Sequence, residues 1–326
     1  IKETISCYMK INDIIFELKD WFNKSPFEQW LLFIYLKLNG EYTDIWSVDW
    51  AIEKTQNVNE FIINIYKSIL DINYKEPEYW NKYDSRRNFL KGLDKDTTYY
   101  EYCNLVPVKK EEAIYYLTDN NDSEKKQILK TIDNYKEKFP KTKLLSILQH
   151  VYKDLYDYLL DYNYGDEFLS TYFNEYKYLK VINTLTPEFK EMVDKEAIER
   201  SFKKRLAYRS EKLPYIDVKN SKAYFIDALG VEFLSFIEQK CRERKLACHI
   251  EICKSYLPSL TSQNTEFRDF FARNGIEVVD EKRLDDLIHD GKDDYDFDKT
   301  KLPIHIVEEF EIIEECLDNI KKNIKN

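Results

Sequence analysis

The sequence predicts a long helical module followed by part of a doubly wound, parallel α/β domain. Its 326 residues include only 6 Gly and 8 Pro, and so few breakers favour long helices with few tight turns. Apolar residues recur three and four positions apart from about residue 3 to residue 206. After Pro214, short apolar runs alternate with amphipathic segments, which is the pattern of strands and helices around a parallel sheet.

The helical module is predicted to span residues 1–210. Its clearest periodic stretches are residues 8–18, 27–38, 48–70 and 128–160. Thr186, Pro187 and Glu188 form a helix start, with a hydroxyl N-cap, proline at the first helical position and an acid in the first turn. The polar residues 118–124 are a candidate break between two subdomains. No repeat of fixed length is present, so the pattern does not indicate a named helical solenoid.

The α/β region is predicted to span residues 211–326. The predicted strands are residues 223–226, 246–252 and 276–279. The predicted helices are residues 231–244, 261–273 and 303–322. Asn274 and Gly275 are expected to end the second of these helices, and Asp280 to cap the helix after the third strand. Such alternation implies a parallel sheet covered by helices.

Two residues of this region could carry chemistry. Asp227 ends the first predicted strand, and Thr261 opens the helix after the second. Ligands of open parallel sheets gather at the carboxyl ends of the strands, so both side chains can face one crevice. A carboxylate suits a divalent cation, and a hydroxyl beside a bound metal at a helix N-terminus can act as a nucleophile. The simpler alternatives are a turn-forming Asp227 and a Thr261 that only caps its helix.

These residues lie in motifs that resemble a known family. Residues 225–233 (FIDALGVEF) followed by residues 257–262 (LPSLTS) resemble the start of a PglZ domain, found in BREX-type phage-defence systems and similar to the alkaline-phosphatase superfamily. The stretch from residue 290 to residue 305 resembles the middle section of the same domain. The resemblance covers about residues 214–326, and a long helical region ahead of the domain also suits this family.

The resemblance implies a function. Asp227 matches the first metal-binding aspartate, and Thr261 matches the metal-bound nucleophile. His305 is a further candidate metal ligand. The acids of the loop before His305 are similar candidates, although an acidic loop is more often simply solvated: Asp294, Asp296 and Asp298. The implied cofactor is a divalent metal, zinc first and manganese or magnesium next, and the implied reaction is hydrolysis of a phosphomonoester or phosphodiester.

One departure from the family pattern limits this chain. The superfamily takes its remaining ligands from an Asp-His pair and a later His, and no such pair follows His305 before Asn326. A two-metal site therefore cannot close with these residues alone. We expect the parent protein to be the enzyme and this polypeptide by itself to be inactive or nearly so.

Composition excludes several other classes. The formal net charge of −10 gives no global footprint for nucleic acid, although nucleic acid or a nucleotide remains a possible substrate. One basic cluster is better explained as a solvated helix end than as a phosphate site: Arg200, Lys203, Lys204, Arg205, Arg209 and Lys212. No apolar run is long enough to span a bilayer, and no signal peptide opens the chain, so we expect no membrane association and a cytoplasmic location.

Other clusters give weaker signals. Cys241, Cys248, His249 and Cys253 match no zinc spacing, and buried thiols explain them better. The carboxylates of the last helix are expected on a solvated face: Glu308, Glu309, Glu311, Glu314 and Glu315. No glycine-rich phosphate loop is present, which argues against a nucleotide-binding Rossmann domain.

Two function classes therefore stay open. In the first, the chain is part of a metal-dependent phosphatase or phosphodiesterase that acts in bacterial phage defence. In the second, it is a non-catalytic scaffold whose exposed aromatic helices dock other phage-defence proteins. An Asp-His ligand pair after residue 326 in the full-length gene would favour the enzyme.

Overall fold

The computed structural model describes residues 1–39, 43–91, 93, 98–208, 211, 215, 217, 221–254, 265–289 and 305–324. These residues are mostly helical, and they include one parallel pair of short strands. By their contacts, the residues form two compact units. The first contains residues 1–139 and 150–152, and the second contains residues 140–149 and 153–326.

The first unit is built of helices joined by short turns. Its α-helices are α1 (Lys2–Met9), α2 (Ile14–Lys19), α3 (Pro26–Asn39), α4 (Trp46–Lys54), α5 (Phe61–Lys67), α6 (Tyr79–Leu90), α7 (Thr98–Leu105) and α8 (Asp122–Asn134). Its 3-10 helices are Trp21–Asn23, Val58–Glu60, Ser68–Asp71, Val106–Tyr116 and Lys136–Lys138. The Val106–Tyr116 stretch is interrupted at Lys110, whose φ is 54°.

Aromatic side chains fill much of the first unit's core. The Phe61 ring lies 5.2 Å from the Trp21 ring and 5.4 Å from the Phe33 ring, measured between centroids. All three side chains are buried. Aromatic residues at helical spacing commonly pack a core in this way.

The polar core of the first unit surrounds one short segment, residues 115–117. The hydroxyls of Tyr79, Tyr102 and Tyr83 donate hydrogen bonds to the carbonyl oxygens of residues 115, 116 and 117, at 2.5, 2.7 and 2.5 Å. The buried guanidinium of Arg86 donates to the carbonyl of residue 116 at 2.9 Å. These contacts satisfy backbone oxygens that would otherwise be buried without donors.

Residues 118–124, the predicted break, form a hydrogen-bonded turn inside the first unit. Asn121 caps α8 by accepting a bond from the Glu124 N–H at 2.9 Å. The buried Glu124 carboxylate accepts bonds from the Thr118 N–H and the Asn121 side-chain amide, both at 2.8 Å. Burial raises the pKa of Glu124, whereas the nearby Arg86 acts in the opposite direction. The polar composition of this stretch therefore serves a helix cap and a buried charge.

The second unit contains further helices and both strands. Its elements are α9 (Lys141–Val151, whose last two residues belong to the first unit), α10 (Lys153–Leu159), α11 (Glu167–Val181), α12 (Pro187–Glu199), α13 (Phe202–Arg205), β1 (Ala223–Ile226), the 3-10 helix Val231–Phe233, α14 (Leu234–Glu243), α15 (Thr265–Arg273), β2 (Val278–Glu281), α16 (Arg283–His289) and α17 (Ile306–Ile324). The predicted start of α12 is confirmed, because the Thr186 hydroxyl accepts a bond from the Phe189 N–H at 3.2 Å and Pro187 follows it.

The two strands pair directly and in parallel. Ala223 lies opposite Val278, and Ile226 lies opposite Glu281. The connection between them passes through α14 and α15, as a parallel crossover requires. A small apolar core forms beside the strands from Ala223, Phe225, Phe271 and Ile276. The first strand has its predicted bounds, and the α/β character of this region is confirmed in this limited form.

Three predictions about the α/β region are wrong in detail: the strand at residues 246–252, the bounds of the third strand and the helix cap at Asp280. Residues 246–252 are not a strand: α14 ends at Glu243, Lys245 beyond it has a φ of 58°, and none of the residues from 246 to 252 is buried. An apolar run needs burial on the sheet to become a central strand, and β1 instead pairs with β2. Asp280 lies within β2 rather than at a helix cap, because that strand begins two residues later than predicted.

The division of the chain also bears on the predicted domains. The contacts group residues 153–208 with the strands, whereas the sequence pattern changes near residue 210. The boundary between the helical module and the α/β domain, predicted at residue 210, stays a prediction. Within the ranges that the structure describes, no helix has both the length and the apolar character needed to cross a bilayer.

Candidate functional site

Asp227 lies where the sequence predicts it, at the carboxyl end of β1. Its backbone N–H donates to the Glu281 carbonyl at 2.9 Å, which extends the parallel pairing by one residue. The Asp227 residue is only 5% exposed. A carboxylate at this depth needs a hydrogen-bond donor or a cation nearby. Its position at the carboxyl edge of a parallel pair is the usual place for a ligand-binding residue.

The chain turns sharply after Asp227. Ala228 has a φ of 60°, in the left-handed region that residues with a Cβ seldom adopt. Gly230 has an ordinary φ of −79°, so its lack of a side chain matters for another reason. The Glu232 carboxylate folds back over Gly230, and a Cβ at that position would lie 1.9 Å from Glu232 Oε2. A side chain at residue 230 would therefore displace the Glu232 carboxylate, so glycine here allows a close approach rather than a special backbone angle.

The Glu232 carboxylate faces a buried lysine and a second carboxylate. Lys180 Nζ of α11 lies 3.7 Å from Glu232 Oε1 and 3.2 Å from Glu309 Oε2 of α17. The side chains of Lys180, Glu309 and Glu232 are 9%, 6% and 13% exposed. We call these three residues the buried triad. It links the turn after β1 to two helices.

The electrostatics of the buried triad favour a charged lysine. Burial by itself lowers the pKa of Lys180, but Glu309 and Glu232 together raise it above its ordinary value. Burial also raises the pKa of Glu309, and the Lys180 charge only partly offsets this effect. Two carboxylates thus share one ammonium group in a poorly hydrated place, so the loss of that ammonium would leave like charges facing each other.

Further hydrogen bonds hold the segment that follows the turn. The Tyr164 hydroxyl donates to the Val231 carbonyl at 3.2 Å. The buried Ser235 hydroxyl donates to the Tyr158 carbonyl at 2.8 Å. The ammonium of Lys177 donates to the Ser235 hydroxyl at 3.2 Å, and burial lowers the pKa of Lys177 to about 7. The segment from residue 227 to residue 235 is therefore fixed at several points by the helices before β1.

The other predicted site residues have different outcomes. Thr261 lies outside the described residues, as do Asp294, Asp296 and Asp298. His305 is described, at the start of α17, where its carbonyl accepts the Glu309 N–H at 2.9 Å. The charge of His305 acts on Glu309 and favours its ionised form. His305 is therefore linked to Glu309 of the buried triad by a backbone hydrogen bond and by an electrostatic effect.

The described ranges contain no group of three or more His, Cys, Asp or Glu side chains arranged to hold a metal ion. Asp227 provides one hard oxygen donor that suits a divalent cation. The described part of the chain thus offers a single ligand of the implied set, and a complete set would need donors from elsewhere, including Thr261. The cysteines and histidine that gave a weak zinc signal in the sequence differ in exposure. Cys241 is buried, whereas Cys248 and His249 are exposed.

Sequence reasoning missed the buried triad. Glu309 was predicted on a solvated helix face, and that prediction is wrong because Glu309 is buried. A signal was present in the sequence. Glu309 lies three residues after Ile306 and four before Ile313, both buried, so it falls on the apolar stripe of α17. Its partner Lys180 could not be identified in this way, because a pairing between distant helices has no local signature.

The first unit carries a different candidate, an exposed aromatic surface. It consists of Tyr8 of α1 and Phe27 and Trp30 of α3, all of them exposed. The Tyr8 and Phe27 rings meet edge to face with centroids 6.4 Å apart, and Phe27 stacks on Trp30 at 6.1 Å. Aromatic residues are enriched at protein interfaces, so this surface fits the interaction-module hypothesis.

Comparisons with known proteins give one match. A family model described as a domain of unknown function, DUF7863, matches residues 2–135. The matched segment corresponds to most of the first unit and does not include Asp227 or the buried triad. No curated protein and no solved structure matches the chain.

Proposed function

We propose that the second unit contributes the first part of a divalent-metal site for phosphoester hydrolysis, with Asp227 as a metal ligand and Thr261 as the nucleophile. The observation that supports this most directly is the buried Asp227 carboxylate at the carboxyl end of β1. The resemblance of residues 225–233 and 257–262 to a PglZ domain supplies the chemistry. It also supplies the finer fold, a doubly wound sheet of alkaline-phosphatase type, of which β1 and β2 would be two strands.

The roles of the chain's own residues follow from their chemistry. Asp227 would hold the cation through the side chain of a buried residue whose backbone is fixed by strand pairing. The hydroxyl of Thr261 would attack phosphorus, and His305 is a third candidate ligand. A bound zinc, manganese or magnesium ion would lower the pKa of a coordinated hydroxyl and offset charge on the phosphoryl oxygens. The substrate class stays open among nucleotides, nucleic-acid phosphodiesters and phosphoproteins.

The biological setting is part of the same proposal. We infer from the resemblance that the parent protein acts in a bacterial anti-phage defence system together with other proteins of that system, and from the sequence analysis that it acts in the cytoplasm. The exposed aromatic surface of the first unit favours a second candidate, in which the protein is a scaffold for those partners and the α/β region has no catalytic role. Metal binding at Asp227 distinguishes the two candidates, because only the enzyme requires it.

The test is calorimetric titration of the full-length protein with Zn²⁺ and Mn²⁺. We expect the wild type to bind the ion and Asp227→Asn to lose measurable binding, because this change removes the charge of one ligand and keeps its size. Thr261→Ala is expected to keep most of the affinity and to abolish hydrolysis of bis(p-nitrophenyl) phosphate. Asp280→Asn is the matched control, since Asp280 is an exposed carboxylate on the neighbouring strand.

The outcome that contradicts the proposal is equally definite. If the wild type binds neither ion, or if Asp227→Asn binds as tightly as Asp280→Asn, then Asp227 is not a ligand. The scaffold candidate would then stand, and Asp227 would be a structural residue of the turn.

A further inference from the structure

The turn after β1 is fixed at both of its ends. At its start, Asp227 is hydrogen-bonded to β2. At its end, Val231 accepts the Tyr164 hydroxyl and Glu232 faces the Lys180 ammonium. The contact with Glu232 comes from α11, which precedes the turn by about fifty residues. A helix of the predicted helical module is thus in contact with the proposed site's own loop.

We propose that Lys180 is a positioning residue for Asp227: through Glu232 and Glu309 it fixes the turn of residues 227–232, so that α11 and α17 are part of the site. This inference rests on the proposed function, because it assigns a purpose to the turn that only a site at Asp227 would have. Among the described residues, Lys180 forms ion pairs with Glu232 and Glu309, so its proposed role is to position the turn rather than to take part in the reaction. It acts through Glu232, whose carboxylate it holds over Gly230.

The close contact at Gly230 is the step that transmits this effect. The Glu232 carboxylate lies so near the Gly230 backbone that a Cβ would be 2.5 Å from Glu232 Cδ. The carboxylate occupies the space that a side chain at residue 230 would need, and its ion pair with Lys180 holds it there. Gly230 is separated from Asp227 by two residues, one of which is the left-handed Ala228. A turn this short has few ways to move at one end without moving at the other.

The charges of the buried triad add to this constraint. Two carboxylates meet one ammonium group, so Glu232 and Glu309 would repel each other without Lys180. The Lys180 ammonium also lies 5.1 Å from the centre of the Phe233 ring, which meets the Phe310 ring of α17 edge to face. Loss of Lys180 is therefore expected to release the turn locally rather than only to weaken the unit as a whole.

The chain offers a matched control, Lys240. Its buried ammonium lies 2.5 Å from Asp154 Oδ1, 3.3 Å from Glu243 Oε2 and 3.0 Å from Glu314 Oε1. Lys240→Met, like Lys180→Met, removes a buried cation shared by carboxylates of the second unit. The two variants should lose similar global stability, but only Lys180 contacts the turn after β1. The difference between them measures positioning and not stability.

The experiment compares Lys180→Met, Lys180→Arg, Glu232→Gln and Lys240→Met in the full-length protein. The first measurement is backbone hydrogen exchange of the peptide that contains residues 227–233. We expect about tenfold faster exchange in Lys180→Met than in Lys240→Met, because local openings follow the free energy that holds the segment. Lys180→Arg should restore slower exchange, and the milder Glu232→Gln should lie between.

The second measurement is affinity for Mn²⁺ and Zn²⁺. Residues that orient a metal ligand typically change affinity by about 10- to 100-fold, so Lys180→Met should lose this much while Lys240→Met stays near the wild type. Equal exchange and equal affinity in the two lysine variants would overturn the inference while leaving Asp227 as a ligand. If the wild type binds no metal, both the proposed function and this inference fail, and the result differs plainly from the first case.

Discussion

The two units bury positive charge in different ways. In the first unit, Arg86 is fully buried and donates to the carbonyls of Tyr66 and Tyr116, at 3.1 and 2.9 Å. In the second unit, Lys180 and Lys240 are each held between carboxylates of different elements. The first arrangement fixes the course of the backbone. The second ties separate helices and a turn together through charged groups.

This difference changes how the charged groups of each unit respond to a nearby cation. Hydrogen bonds from tyrosine and arginine to carbonyl oxygens have no titrating acceptor, and the first unit adds one buried carboxylate, Glu124, near Arg86. Shared carboxylates respond to any nearby cation, since a new positive charge changes the balance within the cluster. In the second unit, one of these shared carboxylates, Glu232, belongs to the segment that follows Asp227 along the chain.

The largest expected effect on stability comes from removing the buried Arg86 guanidinium of the first unit. Arg86→Met removes the donors of two buried carbonyls and leaves the buried Glu124 carboxylate without its nearby cation. We expect a loss of about 3–5 kcal/mol in the free energy of unfolding, measured by urea denaturation. The exposed Lys91→Met, just beyond the same helix, should change it by less than about 0.5 kcal/mol.

The double variant Arg86→Met with Glu124→Gln sharpens this prediction. If the unpaired carboxylate causes most of the loss, removal of its charge should recover part of the stability. An Arg86→Met variant as stable as Lys91→Met would mean that the buried guanidinium is not needed by the first unit.

The next effect concerns Lys177 of the second unit, and it depends on pH. Burial lowers its pKa to about 7 from an ordinary 10.5, with Lys141 acting in the same direction and Asp161 and Glu232 opposing it. Between pH 7 and 10.5 the unfolded chain therefore binds more protons at this residue than the folded chain. The stability of the wild type should rise with pH across that window, by at most about 1.4 kcal/mol per pH unit from this group.

Lys177→Met removes this titration. Relative to the wild type, the variant should be most favoured at pH 7 and below, and its advantage should shrink as the pH rises toward 10.5. Urea unfolding at pH 6.5, 8 and 9.5 measures the difference, with the exposed Lys195→Met as the control. A difference between variant and wild type that does not change with pH would show that Lys177 is charged in the folded protein throughout.

Local features of the fold were predictable from the sequence, and long-range ones were not. The strand of residues 223–226 was found because an apolar run ends at an aspartate, and the cap at Thr186 because hydroxyl and proline stand in fixed positions. Residues 246–252 have a similar apolar character but no burial, and burial is decided by tertiary packing. The sequence therefore predicts candidate strands better than it predicts which of them pair.

The same limit applies to the candidate site. Asp227 was found from its place after a strand, and its burial agrees with that place. Lys180 and Glu309 are 129 positions apart, and their contact exists only once α11 and α17 pack together. Charged residues on helices are usually solvated, so the general rule failed at the one acid that lies on the apolar stripe.

The smallest expected effect compares one hydroxyl in each unit. Tyr83 is buried and donates to the Leu117 carbonyl at 2.5 Å, whereas the buried Tyr158 hydroxyl has no hydrogen-bond partner among the described residues. Both tyrosines keep their ring packing when changed to phenylalanine. We expect Tyr83→Phe to lose about 1–2 kcal/mol, because a buried carbonyl loses its donor.

Tyr158→Phe should be neutral or stabilising by up to about 1 kcal/mol, because it removes a desolvated hydroxyl without breaking a bond. Thermal unfolding of the two variants gives the comparison directly, since size and burial are matched. A loss at Tyr158 as large as that at Tyr83 would mean that this hydroxyl is bonded in solution. Because Glu232 and Glu309 act electrostatically on Tyr158, such a bond would extend the buried triad by a fourth member and increase the number of contacts that hold the turn after β1.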